Sequence, residues 1–137
     1  MPLPTGQYAS ETDIRDLFGA DNVTRWSQLD NTVATPDEDR IQRALDHADA
    51  EINGFFLGGP YALPLAGASD SSTTTRWAAT IAGVWLYAAR GQQDGNASRY
   101  DQMLAEVYTD MAKYKSGVKR LTAANSRFPM PTGPESV

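Results

Sequence analysis

The sequence predicts an all-α protein, a small bundle of about four helices with extended N- and C-terminal arms. Apolar residues recur three and four positions apart over several stretches, capping residues precede these stretches, and glycine or proline follows them. The chain has 137 residues, the size of one domain. Hydrophobic residues make up 41% of it and charged residues 21%, which is typical of a folded globular protein.

The first helix is predicted to begin at Ser10, after an N-terminal arm of residues 1–9. Ser10 and Asp13 have the spacing of a capping box, and Gly19 is a typical stop signal. Three apolar residues share one face of this helix: Ile14, Leu17 and Phe18. Residues 21–26 are predicted to form a short turn rather than a helix. Its expected core contacts are Val23, Trp26 and Leu29.

The second helix has the clearest start signal in the chain. Thr35 is predicted as its N-cap, Pro36 as its first helical residue and Glu38 as the acidic partner in the first turn. The predicted buried face consists of Ile41, Ala44, Leu45, Ala48, Ile52 and Phe55. Residues 54–60 should end this helix, and residues 61–65 should be extended because a proline disfavours helix at the residue before it.

The third helix is predicted over residues 76–90, after a polar Ser/Thr run at 69–75. It has no polar face, so it lies either in the centre of a core or half-buried in a subunit interface, and both interpretations stay open. Because a polar face is missing, Trp77, Trp85 and Tyr87 are expected to divide between core contacts and contacts with a neighbouring copy.

The fourth helix is predicted from about Ser98 to Ser116, with Gly117 just past its end. Its apolar residues alternate four and three apart, as in a coiled-coil seam. They are Tyr100, Leu104, Val107, Met111, Tyr114 and Val118. The helical domain is therefore predicted over residues 10–118, and the proline-rich residues 119–137 as an extended C-terminal arm.

The net charge of −5 is unevenly distributed along the chain. Residues 1–60 contain 11 acidic and 4 basic residues, whereas every charged residue between Met111 and Pro134 is basic. These basic residues are Lys113, Lys115, Lys119, Arg120 and Arg127. One interpretation is compensation at helix ends with a solvated tail. The other is head-to-tail association, in which the acidic face of one copy meets the basic tail of the next.

The residue inventory offers little chemistry. There is no cysteine and only one histidine, His47, which excludes thiol catalysis, disulfides and zinc–thiolate sites. No nucleophile and base stand in a recognisable pattern, so we expect no catalytic residue, cofactor or metal site, and no enzymatic activity. No signal peptide or membrane-spanning run is evident, and a cytosolic product is expected.

The second helix and the segment after it resemble the head–tail connector proteins of Mu-like tailed bacteriophages. The most specific part is Pro36-Asp37-Glu38 opening a helix that ends at Asn53-Gly54-Phe55-Phe56, followed by Tyr61-Ala62-Leu63-Pro64-Leu65. The start of the chain, Tyr8-Ala9-Ser10, and the order of the later helices are similar too. The resemblance covers roughly residues 8–121.

This resemblance implies a structural virion protein, an adaptor that forms a ring, dodecameric in such connectors, between the portal and the tail. The ring would bind the portal, offer a surface to the tail or a second connector, and extend the channel through which DNA passes without sequence-specific binding. The protein would lie in the virion neck, and in the host cytoplasm during assembly. Four residues are expected in an arm that reaches another subunit, the portal or the tail: Lys119, Arg120, Arg127 and Phe128.

An alternative from a different functional class is a small DNA-binding packaging or regulatory protein. Its binding site would be the basic stretch from Lys113 to Arg127, with Tyr114 and Phe128 as stacking groups. A small enzyme, the third class, has no group of residues to support it.

Overall fold

The computed structural model describes residues 4–28, 37–57, 71–90 and 97–116. Within these ranges the protein is all-α, which confirms the predicted fold class. There are five described helices rather than about four: α1 (Glu11–Phe18), α2 (Ala20–Ser27), α3 (Glu38–Phe56), α4 (Ser71–Arg90) and α5 (Ala97–Ser116). In the same ranges, strand-like pairing is limited to one isolated bridge between Thr5 and Ser10.

The N-terminus of α1 agrees with the sequence prediction. Ser10 is the N-cap, and the backbone N–H of Ser10 donates to Asp13 Oδ2 at 2.8 Å, which completes the capping box. Gly19 follows α1 with a φ of 97°, a conformation that favours glycine. Leu17, however, does not share the buried face of α1. Its side chain is 39% exposed, whereas Ile14 and Phe18 are buried.

The prediction of a mere turn after Gly19 is wrong, because residues 20–27 form α2. Contacts from α1 hold this short helix in place. The Arg15 guanidinium donates through Nη1 to Ala20 O at 3.0 Å and to Thr24 Oγ1 at 3.2 Å. Trp26 is fully buried, as expected of a core contact, and Leu29 lies outside the described residues.

The predicted start of α3 is also wrong. The helix begins at Glu38, and its N-cap is Asp37, whose Oδ1 accepts from Asp39 N at 3.1 Å and Arg40 N at 3.2 Å. The N–H of Asp37 donates to Ser27 Oγ at 3.0 Å, so the end of α2 fixes this start. Thr35, Pro36 and residues 61–65 lie outside the described residues.

The buried face of α3 matches the prediction except at its end. Helix continues past Gly54 to Phe56, and Phe56 is fully buried while Phe55 is half-buried. The buried residues are Ile41, Ala44, Leu45, Ala48, Ile52 and Phe56. This face packs along α4, which forms the centre of the bundle.

Helix α4 begins at Ser71, so part of the polar run predicted to precede it belongs to its first turns. One hydroxyl of this run ties α4 to the N-terminal segment, because Thr75 Oγ1 donates to Tyr8 O at 2.7 Å. Helices α1, α2, α3 and α5 all pack against α4. Four surrounding helices rather than three explain how a helix without a polar face is buried in so small a domain.

Helix α5 has the predicted extent to within one residue. Tyr100, Val107 and Met111 of its seam are buried, Leu104 and Tyr114 pack partly against the core, and Val118 lies outside the described residues. Of the helices that the structure describes, none is sufficiently long and apolar to cross a membrane.

Candidate functional site

Trp77, the first of the three aromatic residues singled out on α4, belongs to the core. Its side chain is fully buried and its ring stacks on Phe56 with centroids 5.8 Å apart. The Tyr114 ring meets it edge-on at 5.2 Å. Trp77 Nε1 donates to Asp110 Oδ2 at 3.0 Å, so the one polar atom of the indole is satisfied. This residue therefore joins α3, α4 and α5.

Tyr87 lies in a second aromatic cluster, near the other end of α4. Its ring centroid is 4.8 Å from that of Tyr100 and 5.2 Å from that of Trp26, both in edge-to-face arrangements. Phe18 also contacts Trp26 and Tyr100, each at 5.5 Å. The cluster brings together α1, α2, α4 and α5, and it leaves Tyr87 only 5% exposed.

Trp85 differs from these two residues because it is half-buried, at the contact between α3 and α4. The Arg40 guanidinium lies over its ring, 5.7 Å from the centroid, and the His47 ring is 6.0 Å away. Arg40 Nε and Nη2 are buried without a hydrogen-bond partner in the described part of the chain. His47 Nε2 lies 3.7 Å from Glu51 Oε1. Of the three predicted aromatic contact residues, Trp85 alone keeps a partly accessible face.

A second partly accessible group lies where α3 approaches α5. The Phe55 and Tyr108 rings are 6.0 Å apart, and Lys115 Nζ lies 5.3 Å from the Phe55 centroid. Tyr108 donates its hydroxyl to Glu51 Oε2 at 3.3 Å. Burial and the neighbouring Glu51 carboxylate raise the pKa of Tyr108 above its ordinary value. Sequence periodicity does not reveal this group, because the spacing places Phe55 on the buried face, whereas its side chain is half-buried.

The N-terminal segment packs on α3 in a way that the sequence did not reveal. Gln7 N donates to Asp49 Oδ2 at 2.8 Å, and the Tyr8 hydroxyl donates to Asn53 Oδ1 at 2.5 Å. Thr5 and Gln42 exchange two hydrogen bonds, of 3.3 and 3.1 Å. Burial raises the pKa of Asp49, although the hydrogen bonds from the segment act in the opposite direction.

Two carboxyl groups meet between α1 and the start of α3. Glu11 is 2% exposed, and its Oε2 accepts from Arg15 Nε at 2.7 Å. Its other oxygen, Oε1, is buried and has no hydrogen-bond partner among the described residues. Hydrogen bonding to Glu11, with burial and the Glu11 charge, raises the pKa of Glu38 from 4.5 to about 7. The charge of Glu38 is therefore sensitive to pH near neutrality.

The remaining predicted contact residues, Lys119, Arg120, Arg127 and Phe128, lie outside the described residues. The basic character that precedes them is visible at the end of α5, where Lys113 and Lys115 are exposed. Five acidic residues of α3 lie on its exposed or half-buried surface: Glu38, Asp39, Asp46, Asp49 and Glu51. The described domain thus has an acidic helix and a basic helix end.

Across the described ranges, no group of three or more His, Asp or Glu side chains is arranged to hold a metal ion. His47 has Glu51 and Trp85 as neighbours, with no nucleophile among the contacts described for it. The partly accessible groups combine aromatic rings with cations, an arrangement suited to contacts with another protein surface.

The chain can be compared with known proteins and with models of protein families. A search of the curated proteins finds no match to the chain. The family model described as bacteriophage Mu, Gp36 matches residues 8–126, from Tyr8 of the N-terminal segment to beyond the end of α5. This match covers most of the sequence, and it includes all five described helices. The chain therefore belongs to the bacteriophage Mu Gp36 family.

Proposed function

We propose that this protein is a head–tail connector, a ring-forming adaptor that binds the portal of a filled phage head and offers a surface to the tail. The main support is membership of a phage Mu family, which favours a structural or assembly role in a phage. The specific role as a connector is inferred from the resemblance of α3 and the segment after it to connector proteins. Under this proposal the protein acts in the virion neck.

The structure offers a physical basis for ring assembly. The five helices enclose one core, so each subunit is a preformed block that needs no partner to bury α4. Contacts between copies would then be made by partly exposed groups, such as Trp85 with Arg40, and by the basic segment that follows Ser116. Assembly on the portal would create a continuous surface for the tail that a single copy lacks.

The charge distribution fits a channel for DNA. Asp39 and Asp46 are exposed on α3, which has more acidic than basic residues. If α3 faces the channel, these carboxylates repel the phosphate backbone, so DNA passes without adhering to the wall. The basic C-terminal stretch is then turned toward protein partners.

The experiment is electron microscopy of particles made by a phage that lacks this gene. A connector predicts DNA-filled heads and separate free tails, and complementation with the full-length gene should restore whole particles. Complementation with a gene lacking residues 122–137 should fail, although the truncated protein keeps its helical content. Intact infectious particles without the gene would refute the connector role.

Exposed lysines at the end of α5 give some support to an alternative function, DNA binding. Lys113 and Lys115 continue into the basic stretch, so a DNA-binding packaging or regulatory protein is the second candidate. Tyr114 fits this role poorly, because its ring packs on Trp77. Gel-shift affinity for duplex DNA that falls steeply with salt, and falls further in Lys113→Gln, would favour this role over the connector.

A further inference from the structure

A surface groove lies between α1 and α4. The described residues that line it are Asp13, Asp16, Leu17, Thr75, Arg76 and Ala79. Leu17 is 39% exposed, and Leu57 is the other large hydrophobic residue exposed within the described ranges. An exposed leucine beside the methyl group of an alanine makes the floor of the groove apolar.

The rim of the groove is acidic. Asp13 is engaged in the capping box with Ser10, whereas Asp16 is exposed and forms no ion pair within the described part of the chain. Arg76, the one cation of the lining, has its Nη2 3.3 Å from Asp110 Oδ2 of α5. Its charge is therefore partly neutralised, and the groove suits a ligand with one apolar side chain beside one cation.

We propose that this groove binds the Arg127–Phe128 dipeptide of a neighbouring copy of the same chain. Phe128 is the only aromatic residue after Ser116, and it would lie on Leu17 and Ala79, while the Arg127 guanidinium pairs with Asp16. Pro129 follows Phe128, so the dipeptide loses less conformational freedom on binding.

The position of the groove favours a contact around a ring. In a closed ring all subunits lie at the same height, so a segment from one copy meets the next copy at the same end of the bundle. One side of Arg76 lines the groove, and its other side contacts Asp110, near the end of α5. The groove and the residue from which the C-terminal segment starts therefore lie at the same end of the helical bundle, on opposite sides of Arg76. This inference rests on the ring proposed above.

The length of the segment permits the contact. Ten residues lie between Ser116 and Arg127, and the eleven steps from one to the other span up to about 36 Å when the chain is extended. Packed helices lie about 8–10 Å apart, so the segment can reach past its own α4 to a neighbouring subunit.

Disulfide cross-linking in phage particles tests the proposal. Because the chain has no cysteine, the double variant Leu17→Cys, Phe128→Cys introduces the only two thiols. In particles that contain the variant, oxidation should produce a ladder of covalent multimers on a non-reducing gel. The control pair Ala50→Cys, Phe128→Cys places the first thiol on the exposed side of α3 and should give monomers.

Cross-links confined within single chains, or no cross-links in particles that contain the protein, would overturn the proposal while leaving the connector role intact. Absence of the wild-type protein from particles would instead refute the connector role.

If the cysteine variants fail to assemble, a charge exchange supplies the same test. Asp16→Arg and Arg127→Asp should each lower the phage titre at least tenfold, and the double variant should restore it. Failure of the double variant to restore it would contradict the pairing.

Discussion

Phe18 of α1 packs directly on Gly83 of α4, so closely that a Cβ on Gly83 would lie 2.1 Å from Phe18 Cε2. Phe18 cannot easily move away, because its ring is held edge-on against both Trp26 and Tyr100. A glycine in the middle of a helix normally lowers stability, but here it permits α1 to approach the central helix.

Gly83→Ala should therefore destabilise the protein. The added methyl group must displace a buried aromatic ring, and overpacking of this kind costs about 1–3 kcal/mol, which outweighs the gain in helix propensity. The measurement is the free energy of unfolding from urea denaturation.

Gly54→Ala is the matched control for Gly83→Ala. Gly54 also lies in a helix, but nothing is within 4 Å of the position its Cβ would occupy. Only the propensity effect then remains, and we expect stabilisation by about 0.5–1 kcal/mol. Equal effects of the two substitutions would contradict the close contact between α1 and α4.

Trp77 and Trp85 should respond differently to the same substitution. Trp77→Phe removes the hydrogen bond to Asp110 and leaves a cavity in the core, so the free energy of unfolding should fall by about 2–4 kcal/mol. Trp85→Phe affects a half-buried ring and weakens one cation–π contact, at about 1 kcal/mol or less. A larger loss at Trp85 than at Trp77 would mean that the core is centred elsewhere.

The raised pKa of Glu38 predicts that the stability of the protein depends on pH. The folded state raises the pKa of Glu38 from 4.5 to about 7, so folding favours the protonated form. The resulting contribution to stability is fully present below pH 4.5 and is lost as the pH rises through about 7. Glu38→Gln should remove this decline, because an amide does not titrate. Thermal unfolding midpoints between pH 4 and 8 provide the measurement.

Asp39→Asn is the control for the pH experiment, since it changes the same charge in the same first turn of α3. It should leave the pH dependence in this interval as it is in the wild type. A decline of stability between pH 4.5 and 7 that is unchanged in Glu38→Gln would contradict the raised pKa of Glu38.

Attachment of the N-terminal segment to α3 can be tested at Asp49. Asp49→Ala removes the acceptor of the 2.8 Å bond from Gln7 N, so the Gln7 amide should exchange its hydrogen about tenfold faster. Asp46→Ala, which removes a carboxylate bonded to Gln42 of the same helix, should change this rate little. Unchanged exchange in Asp49→Ala would contradict the packing of the segment on α3.

The local parts of the fold could be predicted from the sequence, and the parts set by tertiary contacts could not. The capping box at Ser10 involves residues three apart, and the pattern alone located it. Helix α2 depends on Arg15 of the preceding helix, and the N-cap at Asp37 is fixed by Ser27 of α2. Neither interaction leaves a periodic signal.

The same limit applies to the candidate contact surfaces. A bond between Gln7 and Asp49 joins residues 42 positions apart, and no motif marks it. The spacing places Leu17 on the apolar face of α1, and only the packing of α1 on α4 shows that its side chain reaches the surface groove. The apolar character of α4 fits a core and an interface equally well, and α2, which the sequence pattern does not reveal as a helix, supplies part of the cover of α4.

Cryo-electron microscopy of the virion neck tests the central claim most directly. The connector role predicts a closed ring between portal and tail in which each subunit fits the five described helices, with α4 at the centre of each subunit. A neck map in which every density between portal and tail is assigned to other proteins would contradict it.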